Sequence, residues 1–153
     1  MAEYNSKKDT KKHIIRVNEL MQQFVTKLLK RAFLHDKSKL EKEEKPYFDT
    51  YTPLLKKLTY NSKEYKESLQ KLQVALDHHY KNNSHHPEHY KNGVDDMDLI
   101  DVFEMFVDWK AATERHEDGD IYKSIKSNKD RFKISEQLCK IFENTAKNFE
   151  WEK

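Results

Sequence analysis

Glycine and proline are scarce in this chain. Only two of its 153 residues are glycine and three are proline. β-hairpins and β-sandwiches need many tight turns, and glycine and proline favour such turns. The scarcity of glycine and proline therefore argues against an all-β fold. Leu, Lys and Glu are plentiful and have high helix propensities. The composition therefore predicts an all-α protein.

Cysteine and long apolar runs are also nearly missing. Cys139 is the single cysteine, which excludes an internal disulfide and a zinc site built from several thiolates. We expect it to pack as a small apolar residue. No apolar run approaches the length of a membrane span, and residues 1–12 lack an apolar signal segment. These absences predict a cytoplasmic protein with no membrane partner.

The net charge of +2 hides an asymmetry between the two halves of the chain. Residues 1–76 carry 17 basic and 10 acidic side chains, whereas residues 77–153 carry 12 and 17. Such a division suits a cleft that holds a cation and receives an anion, although an ordinary mixed-charge surface has the same composition. Nucleic-acid binding is disfavoured, because the positive charge is not concentrated on one helix.

Apolar spacing predicts about five to six helices in a single domain spanning residues 1–153. Its core is expected at about residues 10–117, and a C-terminal helix at about 127–149 is expected to pack against it. Ser127 and Asp130 form the candidate capping box of that last helix. The other predicted helices run from Thr10 to about Leu34, from Glu41 to Lys57, from Ser62 to about Tyr80, and from Met97 to about His116.

Five of the eight histidines lie between residues 78 and 89. Imidazole is the commonest protein ligand for transition metals, and a neighbouring carboxylate adds the charge that holds a divalent ion. Helical spacing places His79 and His13 on inward faces, where a lone histidine is more often a core residue than a ligand. Because the histidines are clustered, we nevertheless predict a metal site in this loop.

A stripe of acidic residues, Asp101, Glu104 and Asp108, follows one face of a predicted helix. Most such stripes are solvated helix faces. Met105 interrupts this one and Arg115 ends it, which slightly favours a functional role.

The order His13, His35-Asp36 and Asp101 resembles the H…HD…D pattern of the HD-domain superfamily of metal-dependent phosphohydrolases. The sequence HDKSK at residues 35–39 is similar to the HD-x-G-K form of many members, with serine in place of glycine. The resemblance covers about residues 10–115. It implies that the helices form a bundle of the HD-domain type.

Three longer motifs resemble a small uncharacterised HD-like family found in bacteria and their phages. They are HDKSK at residues 35–39, HHYKNNSHHPEH at residues 78–89 and EMFVDWKAA at residues 104–112. Motifs of this length are specific to a family, but this family has no firm activity to transfer.

The resemblance to the HD-domain superfamily implies a site that holds one or two divalent ions of Mn, Fe, Co, Ni or Zn. Asp36 would anchor the metal and bridge to a second ion, and Glu104 or Asp108 would act as general base or orient a ligand histidine. The implied catalytic residues are Asp36, Glu104 and Asp108. The implied metal ligands are His13, His35, Asp36, His79, His86 and Asp101. The implied substrate-binding residues are Lys39, His85, Lys110 and Arg115, and His85 is also an alternative metal ligand.

The expected function is hydrolysis of a nucleotide or related small phosphate compound by a metal-activated water. Two alternatives stay open: an HD-type di-iron oxygenase, which uses the same ligand types, and a non-catalytic protein that binds or sequesters a nucleotide. The sequence leaves the substrate, the metal, the number of ions and the oligomeric state undetermined.

Overall fold

Six α-helices make up most of the structure, which is a computed structural model describing residues 5–58, 62–115 and 118–151. These ranges contain no strand, which confirms the all-α fold and the expected number of helices. None of the described helices has the length and apolar character needed to cross a membrane. The helices are α1 (Ser6–Leu34), α2 (Lys45–Lys57), α3 (Lys63–Asn82), α4 (Leu99–Thr113), α5 (Ile121–Phe132) and α6 (Glu136–Asn148). Short 3₁₀ turns lie at Lys37–Leu40, Pro87–His89 and Gly93–Asp96.

The chain divides into two units, one up to Leu34 and one from His35 onwards. The described part of the first unit is essentially α1, which begins at Ser6 rather than at the expected cap Thr10. Asn5 Oδ1 accepts a hydrogen bond from the backbone N–H of Lys7 at 3.1 Å, so the chain already has a capping side chain one turn earlier. The expectation of a single domain over residues 1–153 stays a prediction.

Helix α3 begins where the sequence predicts. The side chain of Ser62 accepts a hydrogen bond from the backbone N–H of Tyr65 at 3.1 Å and caps the helix. The buried positions of α3 are Leu72, Ala75 and His79, which share one stripe at i, i+3 and i+7. The stripe packs against α2, and its last member carries an imidazole into the interior. The inward position predicted for His79 is therefore confirmed.

The single C-terminal helix expected at residues 127–149 is wrong, because two helices occupy this region. Asp120 caps α5, and Ser127 lies inside that helix instead of beginning one. Lys133 then adopts a left-handed conformation with φ 55°, which an α-helix cannot continue. Ser135 caps α6 two residues later, and α6 packs against α5. Helical apolar spacing continues across the break, which is why the sequence pattern hides it.

The apolar core of the second unit joins α4, α5 and α6. The rings of Phe106 and Phe142 stack with their centroids 4.6 Å apart, and Cys139 is buried beside them, as expected. The core residues are Met105, Phe106, Ile121, Ile125, Ile134, Cys139, Phe142 and Ala146. This core fixes α4, and α4 in turn carries the acidic stripe.

Replacing Phe142 by alanine should lower the free energy of unfolding by about 3–5 kcal/mol, because the change leaves a cavity at the centre of this core. Ile141→Ala on the same helix is the matched control. Its side chain is 52 % exposed, so the loss should stay below about 1 kcal/mol. Urea unfolding followed by circular dichroism measures both values, and equal losses would contradict the assigned core.

Candidate metal centre

Four segments of the second unit bring histidine and carboxylate side chains together. The turn after Leu34 supplies His35 and Asp36, and the last turn of α3 supplies His79. The loop that follows supplies His85 and His86. Helix α4 supplies Glu104 and Asp108.

The turn at Asp36 aims its carboxylate inward. Asp36 has φ 55°, a left-handed conformation that Asp tolerates better than most residues. Its carbonyl accepts a hydrogen bond from the backbone N–H of Lys39 at 3.0 Å. Ser38 is buried, and its Oγ lies 3.2 Å from His79 Nδ1 and accepts a bond from Asn83 Nδ2 at 2.7 Å. The serine of the HDKSK motif thus ties the turn to the end of α3.

The inner end of the centre has four donor groups around one point. The ligand atoms of Asp36, His79, His85 and His86 all lie within 4.8 Å of one another. His79 Nε2 is 3.2 Å from Asp36 Oδ1 and 2.9 Å from His86 Nε2, and His85 Nε2 is 3.6 Å from Asp36 Oδ1. Ligands about 2.1 Å from one tetrahedral ion lie about 3.4 Å apart. The observed separations therefore suit a single cation.

His85 adds an independent sign that the inner end accepts a ligand. Its side chain is 1 % exposed, and its Nε2 makes no hydrogen bond to the described residues. A buried nitrogen left without a partner costs about 1–3 kcal/mol, so a cation at this point would relieve the cost.

The outer end of the centre is richer in oxygen and more accessible. His35 Nε2 lies 3.6 Å from Asp36 Oδ2 and 3.6 Å from Asp108 Oδ1. The side chains of His35 and Asp108 are 31 % and 22 % exposed, against 2 % and 1 % for His79 and His85. A small molecule would therefore reach the centre from the side of His35 and Asp108.

Each of three histidines has a carboxylate on its Nδ1 atom. Glu104 Oε1 lies 2.8 Å from His35 Nδ1 and 3.1 Å from His85 Nδ1. Glu44 Oε2 lies 3.0 Å from His79 Nδ1. In a neutral imidazole, an Nδ1–H donated to a carboxylate leaves the lone pair of Nε2 free to face inward. Metal-ligating histidines characteristically have this arrangement.

The ionisation of the centre differs between its two ends. Asp108 and then Glu104 raise the pKa of His35 to about 10, so this imidazole is protonated at neutral pH and a metal at the outer end would have to displace its Nε2 proton. Burial alone would raise the pKa of Asp36, but the neighbouring His79 and Lys39 hold it far below its usual value. Burial, and then the charges of His85 and His79, lower the pKa of His86 to about 3. His86 is therefore neutral, the form that binds metals.

Most of the predicted site residues meet here, but not all. The centre contains His35, Asp36, His79 and His86, which were predicted as ligands, and His85, which was predicted to bind substrate or to be an alternative ligand. It also contains Glu104 and Asp108, which were predicted as catalytic residues. His13 lies on α1 in the first unit and is in none of the ligand groups formed by the described residues.

Asp101 also lies outside these groups and has other contacts. It is 3 % exposed and accepts hydrogen bonds from Ser84 Oγ at 2.7 Å and Tyr90 Oη at 2.5 Å. It forms a capping box with Asp98 at the start of α4. Burial and the Asp101 bond raise the pKa of Tyr90 to about 12, so the phenol stays a donor. Asp101 thereby fastens residues 83–90, the histidine loop, to α4.

The predicted substrate-binding cations differ in their surroundings. Lys39 Nζ lies 2.6 Å from Asp36 Oδ2 and is therefore already at the centre. Lys110 pairs with Glu114 at 2.9 Å, and Arg115 lies just beyond the end of α4. The roles of all three in binding a substrate stay predictions.

Sequence reasoning missed Glu44, which is fully buried. Its Oε1 lies 2.7 Å from His78 Nδ1, and its Oε2 contacts His79. It stands in the charged run EKEEK at residues 41–45, which reads as a solvated segment. Its histidine partners are 34 and 35 residues away, so no local pattern could have identified it.

These observations define the class of the protein: an all-α protein with a candidate histidine and carboxylate metal centre. The chain belongs to the family described as "Family of unknown function (DUF5662)", whose model matches residues 2–148. No curated protein and no solved structure matches the chain significantly. The description of this family names no activity, so the function is argued from the metal centre itself.

Replacing Tyr90 by phenylalanine should lower the free energy of unfolding by about 1.5–3 kcal/mol, because it removes a hydrogen bond to the buried Asp101 carboxylate. Denaturant unfolding measures the change. In an Asp101→Asn background the same substitution should have a clearly smaller effect, since the two residues share one interaction. If the two substitutions change the free energy of unfolding in a strictly additive way, the hydrogen bond between Tyr90 and Asp101 does not hold the loop.

Proposed function

We propose that this protein is a metal-dependent hydrolase of a small phosphate compound, a nucleotide being the leading candidate. One observation carries the proposal: the convergence of Asp36, His79, His85 and His86, of which His79 and His85 are buried. The Nδ1 atoms of His79 and His85 each contact a carboxylate, so both histidines offer Nε2 to the same point.

The donor set fits a divalent transition metal. Three imidazoles and one carboxylate suit Zn, Fe, Mn, Co or Ni, whereas Mg and Ca prefer oxygen donors alone. A second ion would be held by His35, Asp36 and Asp108. Asp36 can serve both ends, because Oδ1 faces His79 and His85 while Oδ2 faces His35. The proposal therefore covers one or two ions.

A bound divalent ion lowers the pKa of a coordinated water toward neutrality and offsets charge on a phosphoryl oxygen. The residues of the chain perform the other tasks. Glu104 holds the rings of His35 and His85 in place. If the centre holds a single ion at its inner end, Asp108, at the accessible end, is the side chain best placed to accept the proton of an attacking water.

Lys39 is the side chain proposed to meet the phosphate. Its ammonium lies at the centre on Asp36 Oδ2 and 5.7 Å from the centroid of the Phe48 ring. A cation that contacts a ligand carboxylate can turn to a phosphoryl oxygen over a short distance. Lys110 is engaged by Glu114, which makes it the weaker candidate.

The resemblance to the HD-domain superfamily supports this reading through His35-Asp36. In our proposal the remaining ligands come from the end of α3, the loop that follows it and α4. The proposed reaction needs no membrane or nucleic acid, and a cytoplasmic location stays part of the proposal.

The test is metal analysis of the purified protein followed by phosphate release from a panel of nucleotides with Mn²⁺, Co²⁺, Ni²⁺, Fe²⁺ or Zn²⁺. Asp36→Ala should lose bound metal and reduce turnover by at least about 100-fold. His89→Gln is the matched control, because His89 donates to the carbonyl of Tyr80 and lies outside the ligand groups of the described chain.

Other outcomes separate the alternatives. Wild-type protein without metal, or Asp36→Ala with unchanged metal content, would refute the proposal. Iron-loaded protein that consumes oxygen without releasing phosphate would identify an oxygenase. Tight nucleotide binding with no turnover by the metal-loaded protein would identify a sequestering protein.

Metal should also stabilise the fold. A cation at 100 times its dissociation constant adds about 2.7 kcal/mol, which for a chain of this size raises the melting temperature by about 5–10 °C. His86→Ala should show a much smaller rise, because it lacks one inner ligand. Thermal unfolding with Zn²⁺ or Mn²⁺ and with a chelator measures both, and an equal rise in the two proteins would place the cation elsewhere.

A further inference from the structure

Glu44 is a fully buried carboxylate that is not in any ligand group of the described residues. It stands at the start of α2, where its carbonyl accepts from the backbone N–H groups of Tyr47 and Phe48. Its side chain makes no capping bond to that helix. It points instead to α3, with Oε1 2.7 Å from His78 Nδ1 and Oε2 3.0 Å from His79 Nδ1. A carboxylate is buried in this way only when hydrogen bonds compensate for its lost hydration.

We propose that Glu44 is the positioning residue of the metal centre: it accepts the Nδ1–H of His79 and so leaves His79 Nε2 free to bind the cation. The inference rests on the proposed metal centre. Glu44 touches neither the other ligands nor the outer end in any described contact, so it acts through His79.

The surroundings of His79 Nδ1 explain why a carboxylate is needed there. Asn83 Nδ2 lies 3.1 Å and Ser38 Oγ 3.2 Å from the same nitrogen, and both groups can donate a hydrogen bond. A donor at Nδ1 would favour the opposite tautomer, with the proton on Nε2, and that form cannot bind a metal through Nε2. Glu44 offers only acceptor atoms and is therefore the contact that selects the ligand tautomer.

The amide group of Asn83 does not compete for His79 Nδ1. Its amide donates to Ser38 Oγ at 2.7 Å and to the carbonyl of His79 at 2.8 Å, and these bonds use both of its hydrogens. The Nδ1 proton of His79 is then directed to Glu44. The same carboxylate pattern recurs at Glu104, which serves His35 and His85. Glu44 provides the carboxylate contact for the third histidine, His79.

The sharing of Glu44 between two histidines provides a specific test. A glutamine at this position would have one acceptor oxygen instead of two. Each oxygen of Glu44 faces a different histidine, so the amide oxygen of glutamine could take only one of these two positions, and its NH₂ group would face the other nitrogen. Glu44→Gln should therefore bind Co²⁺ or Zn²⁺ about 10–100-fold more weakly than wild type, the usual effect of losing such a partner. Competition with a chelating indicator measures this without any substrate.

The matched control is Glu43→Gln, the same substitution one residue earlier. The Glu43 side chain is 41 % exposed, and its described ion pair is with Lys42. This variant should bind metal as wild type does. If Glu44→Gln also binds as wild type does, the inference is overturned.

The double variant Glu44→Gln/His78→Ala separates positioning from simple packing. Without His78, the single acceptor oxygen of the glutamine is available to His79, so part of the lost affinity should return. If Glu44 only filled space, the second substitution would leave affinity unchanged or reduce it further. That result would overturn the inference.

A measurement on the unmodified protein decides the matter even if the variants do not fold. In Zn²⁺-loaded wild type, ¹⁵N NMR should show His79 protonated at Nδ1 and metal-bound at Nε2. Metal at Nδ1, or no divalent cation bound at all, would overturn the inference. Bound metal with this tautomer but no phosphate release would sustain the role of Glu44 while refuting the proposed hydrolase.

Discussion

The organisation of this protein depends on carboxylates buried against imidazoles. Glu44 and Glu104 each contact two histidines through Nδ1, and Asp36 lies among the Nε2 atoms between them. Burying charge is unfavourable unless every group finds a partner, so these contacts restrict how α2, α3 and α4 can meet. The same contacts that satisfy the buried charges also aim the histidines at one point.

The apolar core and the polar centre share α4 and have different tasks. One side of α4 packs Met105 and Phe106 against α5 and α6, and Asp101, Glu104 and Asp108 face the histidine loop and the turn at Asp36. The core therefore fixes the helix from which the carboxylates project. Asp101 fastens the loop through Ser84 and Tyr90, so the loop geometry is held at both its ends by α3 and α4. Rigid support of this kind is what a metal site needs.

The two ends of the metal centre differ in how deeply their side chains are buried. His79 and His85 are enclosed, whereas His35, Asp108 and Lys39 reach solvent. A cation held at the enclosed end would be exchanged slowly, and a substrate would approach from the open end, where the proposed base and phosphate-binding lysine lie. The proposed hydrolase makes use of both properties.

The sequence by itself determined the all-α class, the start of α3 at Ser62 and the inward face of His79, and it identified His35-Asp36 and the clustered histidines as candidate ligands. These features follow from local periodicity, capping and residue chemistry, which neighbouring residues encode. The break at Lys133, the anchoring contacts of Asp101 and the burial of Glu44 were decided only by the tertiary structure. A charged residue in a polar run looks solvated until helices distant in sequence enclose it. The physical reason is that its partners are brought to it by packing rather than by spacing along the chain.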